Sequence, residues 1–129
     1  MTMTTIKSYT DLSQSKTLSK ILPIESADMH WAKDFDGSWF VDLAEYTAVK
    51  IPKYVGNVEE HLLPCWSLSA LLNVLPAECE CMSLEHINYG NNHKKYFMSY
   101  VGGGNTDIYD NPIDACVAMI ERLHELKML

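Results

Sequence analysis

Residues 27–43 read ADMHWAKDFDGSWFVDL, and the way this stretch turns at Asp36-Gly37 decides the fold class. Two strand-like runs around an Asp-Gly pair predict a hairpin. A two-residue loop of Asp36 and Gly37 would pair Phe35 with Ser38 and set Met29 and Trp31 opposite Ala44 and Asp42. A three-residue loop, Phe35-Asp36-Gly37 with Gly37 in the left-handed conformation, pairs Asp34 with Ser38 instead. Met29, Trp31, Trp39, Val41 and Leu43 then share one face. Slipping by one residue would send a strand's whole apolar set to the other side of the sheet, so the three-residue loop is the expected one. It leaves His30 opposite Asp42 on the second face.

Working outward, the flanks read as helices and one more hairpin. Asp11 caps a helix over 11–22 that carries Leu18, Ile21 and Leu22 and stops at Pro23. Residues 46–51, YTAVKI, suit a short strand, and KYVGNVEEH after it a loop. LPCWSLSALLNVLP, residues 63–76, predicts the second helix and the centre of the core. Leu68, Leu71, Leu72 and Leu75 repeat at helical spacing there, and prolines lie near both ends. SLEHINY and KKYFMSYV around Gly90-Asn91-Asn92 make the second hairpin, whose mixed faces leave its register open. The last helix starts at Asn111-Pro112, a good cap followed by a good first residue, with Asp114 near its positive end. Ile113, Cys116, Val117, Met119, Ile120, Leu123 and Leu126 give it a wide apolar stripe. The expected architecture is α+β: an antiparallel sheet of two hairpins, about four to six strands, with three helices in the order helix-hairpin-helix-hairpin-helix.

At 129 residues with no internal repeat or linker, one globular domain spanning 1–129 is expected, with residues 1–10 as a flexible start. The net charge of −7 disfavours a nucleic-acid partner, because such binding rests on cationic contacts to phosphate. No apolar run reaches the length of a membrane span and the first residues lack a secretory core, so a cytoplasmic location is the default.

Three segments, LSKILPIESADM, LPCWSLSALLNVLP and YDNPIDACVAMIERLHELK, resemble in their order and spacing a family of short proteins encoded by gut anaerobic bacteria and their phage-like or conjugative elements. The resemblance covers most of the chain. It implies a bacterial cytoplasmic protein and brings no catalytic, cofactor or metal residue with it.

Chemistry has few footholds. The metal candidates are Cys79 and Cys81, with His61 and Cys65 as further donors and His86 nearby. Structural zinc wants two short-spaced ligand pairs, and a lone C-x-C is a weak signal. Five histidines and several serines are present without a nucleophile elbow. His124 near the end of the last helix suits a packed or dipole-stabilised side chain. Gly102-Gly103-Gly104 lacks the spacing and the lysine of a phosphate loop, and Asp107, Asp110 and Asp114 would repel an anion. The glycines instead fit a turn out of the second hairpin into a returning strand, TDIYD.

The reading is therefore a non-catalytic binding module, an accessory protein of a mobile element, with no cofactor. Its expected partner is another protein or a second copy, through an aromatic sheet face to which Phe40 and the Tyr96–Met98–Tyr100 row are the candidates. A metal-binding or hydrolytic enzyme using Cys and His is one alternative. An acidic mimic of nucleic acid is another, against which stands the spread of the carboxylates, Glu59-Glu60 being the only adjacent pair.

Overall fold

The computed structural model describes residues 7–34, 36–43, 62–76, 82–90, 93–101 and 104–129. The expected strand over 46–51, the loop after it and Glu59-Glu60 lie outside them. In chain order the elements are helix α1 (Leu12–Leu18), a 3-10 turn (Ile24–Ser26), β1 (Met29–Lys33), β2 (Trp39–Leu43), β3 (Leu62–Cys65), α2 (Leu68–Asn73), β4 (Ser83–Asn88), β5 (Lys94–Tyr100), β6 (Gly104–Asn105) and α3 (Pro112–Glu125).

The first hairpin turns as its side-chain pattern requires. His30 lies opposite Asp42 and Lys33 opposite Trp39, and the Asp34 N–H donates to the Ser38 carbonyl at 2.8 Å. Gly37 has φ +88°, the left-handed conformation that a three-residue loop needs. Burial is not one-sided, however. Ala32, on the His30 face, is only 1% exposed, while Trp31, Trp39 and Val41 are half-buried. Ala32 has Phe40 and Leu62 as its neighbours on the two flanking strands, and they overshadow so small a side chain.

The helix expected over 63–76 is the main correction. Its first third is strand β3, paired with β1, and the helix begins only at Leu68 after the Ser67 cap. Pro64 is tolerated in the strand because of where its missing donor would point. Trp66 turns both backbone groups to Thr10, its carbonyl accepting from the Thr10 N–H and its N–H donating to Thr10 Oγ1, on the side away from β1. Pro64, two residues earlier, has the same orientation, so no β1 bond is lost. The short α2 is also not the centre of the core, since Leu72 is exposed.

The hairpins do not share one sheet. The order is β2-β1-β3 in the first and β4-β5-β6 in the second, all antiparallel. The second hairpin takes the register Glu85↔Phe97 and Leu84↔Met98, closed by a bond from the Tyr89 N–H to the His93 carbonyl at 2.8 Å. Gly104 (φ +74°) opens the return along β5 earlier than the expected TDIYD strand. Tyr109 then bridges Tyr96 one residue out of the β6 register, so the returning chain carries a bulge.

Helix α3 is the hub. It packs against β5, β4, α2 and α1, and it buries Ile113, Ala115, Cys116, Val117, Met119, Ile120 and Leu123. Leu18, Leu22, Trp66, Leu71, Met98 and Tyr100 complete the same core. Leu126, expected in the stripe, is 53% exposed, because the helix ends at Glu125 and Lys127 takes a left-handed turn (φ +60°).

Candidate functional site

The sequence candidates for chemistry divide three ways. Cys79, Cys81 and His61 lie outside the described residues. Cys65 and Cys116 are fully buried free thiols. Burial pushes the Cys65 thiol up to about 11 and the Cys116 thiol to about 12, so neither supplies a thiolate at neutral pH. Among the described residues no group of three or more His, Cys, Asp or Glu side chains is placed to hold a metal ion.

Cys65 belongs to a packed polar knot instead. Its Sγ donates to the Thr10 carbonyl at 3.5 Å, and Thr10 Oγ1 lies 2.8 Å from Ser15 Oγ. The Trp31 ring N–H donates to the same carbonyl at 3.0 Å, and Tyr9 meets the Trp31 ring edge-on. Thr10 and Ser15 are fully buried, which pins the segment before α1 to the first sheet. Next to it, Trp66 donates through Nε1 to Ser26 Oγ at 2.9 Å. The Ser67 hydroxyl caps α2 and donates to the Asp28 carboxylate.

His30 does lie opposite Asp42, but its buried Nδ1 makes no hydrogen bond, so Asp42 does not orient the ring through that atom. Burial holds the His30 pKa below its ordinary value and keeps the ring neutral. His124 is exposed, with Nδ1 3.2 Å from the Leu129 carbonyl oxygen at the end of the chain. His86 is exposed beside the Tyr96 ring. Among the described residues, no hydrogen bond joins any of these three rings to a hydroxyl or thiol side chain.

The start of α3 holds the densest polar network. Asn111 accepts from the Asp114 N–H at 2.9 Å and donates through Nδ2 to the Asp114 carboxylate at 2.8 Å. Gln14 Nε2 (2.7 Å) and Lys7 Nζ (2.8 Å) donate to the other carboxylate oxygen. Lys7 also pairs with Asp11, the α1 cap, at 3.0 Å. The network joins two helix caps and ties the segment at Lys7 to α3. Every group in it has a protein partner, and its role is to hold the fold.

Among the described residues, the second sheet has a face that α3 does not cover, though not the side the aromatic pattern suggested. The Tyr96–Met98–Tyr100 row faces α3 and belongs to the core, with Met98 fully buried. The opposite face carries half-buried Ile87 and Phe97, with exposed Glu85, and Val101 lies just past the end of β5 at 65% exposure. Ser99 bridges Ser83 and Glu85 there, at 3.2 Å each. Phe40 is half-buried in the other sheet, so it and Phe97 belong to separate surfaces.

No family model, curated protein or solved structure matches the chain. Among the described residues, no helix is long and apolar enough to cross a membrane.

Proposed function

We propose that the chain is a small non-catalytic interaction module, an accessory protein of a mobile element, that binds a protein partner through its second sheet. One observation carries the reading: α3 closes one face of β4-β5-β6, while the other presents Ile87, Phe97 and Val101 beside a few hydrogen-bonding groups. An apolar centre with a polar rim is the composition of protein contacts. The two described thiols are held protonated, which favours binding over nucleophilic chemistry.

The test is a displayed-peptide selection against the wild-type protein, counter-selected on the double variant Phe97→Ser, Val101→Ser. The expected result is a binder whose affinity drops by about tenfold or more in the variant, as loss of a central aromatic anchor would cause. The variant should keep the wild-type circular dichroism spectrum. Recovery only of binders that treat both proteins alike would refute the reading.

A further inference from the structure

We draw no further inference here: the strongest candidate, the half-buried His30 in the central strand of the first sheet, whose Nδ1 has no hydrogen-bond partner among the described residues, would be an acid-sensitive element on its lowered pKa alone, and nothing in the structure shows which charged groups cover its face of the sheet.

Discussion

Asp114 collects hydrogen bonds from Lys7, Gln14 and Asn111, and its titration reports whether they form. Burial would push its pKa up. The three donors outweigh that and hold the carboxyl below its ordinary 3.8. A group depressed in the folded state adds stability that is complete above the unfolded pKa and disappears as pH falls through the folded one. Lys7 runs the other way: burial lowers it, its bonds to Asp114 and Asp11 outweigh this, and its contribution fades as pH climbs through the raised value, above 10.5. Asp114→Ala should therefore be less stable than wild type at neutral pH, and the gap should narrow below about pH 4. Urea unfolding at a series of pH values measures this, and a constant gap would contradict it. Asn111→Ala, which loses the α3 cap, should cost about 1 kcal/mol in the same experiment. The cap was legible because Asn-Pro-x-Asp is a local signal. Lys7 and Gln14 were not, since they reach Asp114 across 107 and 100 residues and nothing in their surroundings names that partner.

Single elements show which sequence signals determine structure by themselves. The first hairpin was readable to the residue because loop length and apolar alternation had to agree, and one register satisfied both. Gly37→Ala tests this directly. A Cβ at Gly37 meets nothing within 4 Å, so the only penalty is the left-handed backbone, about 1 kcal/mol. Thermal unfolding should show that loss, and an unchanged midpoint would mean the loop tolerates another conformation. Strand β3 escaped the reading for a complementary reason. Leu62–Cys65 is a short apolar run beside a leucine repeat, and periodicity cannot separate a buried strand from the first turn of a helix. Its strand partner, β1, lies about thirty residues upstream, beyond any local window. The second hairpin was found as an element while its register stayed open, and α3 settled that by burying Met98 and Tyr100 with Tyr96 packed beside them. The candidate surface was misplaced for the same reason: the aromatic row that stands out in the sequence is the one a helix covers.

At the scale of the whole molecule, the two sheets are separate as hydrogen-bonded units, and α1, together with Trp66 directly after β3, ties the first sheet to the core around α3. Trp66, directly after β3, packs in the same cluster as Ile113, Met119 and Leu123. Thr10, which holds Cys65, follows the Lys7 that holds Asp114. Opening the first sheet would therefore expose Trp66 and loosen the start of α3 together. Cys65 and Cys116 report on the two regions independently, one at the end of β3 and the other inside α3. Both are fully buried, and burial holds both as unreactive thiols, so alkylation requires opening. In a Cys79→Ser, Cys81→Ser background, iodoacetamide labelling followed by mass spectrometry should therefore show the two thiols reacting at one rate. That rate should rise with urea in parallel with global unfolding. If Cys65 reacted well ahead of Cys116, the first sheet would open by itself, and the shared core around α3 would not be what couples the two halves.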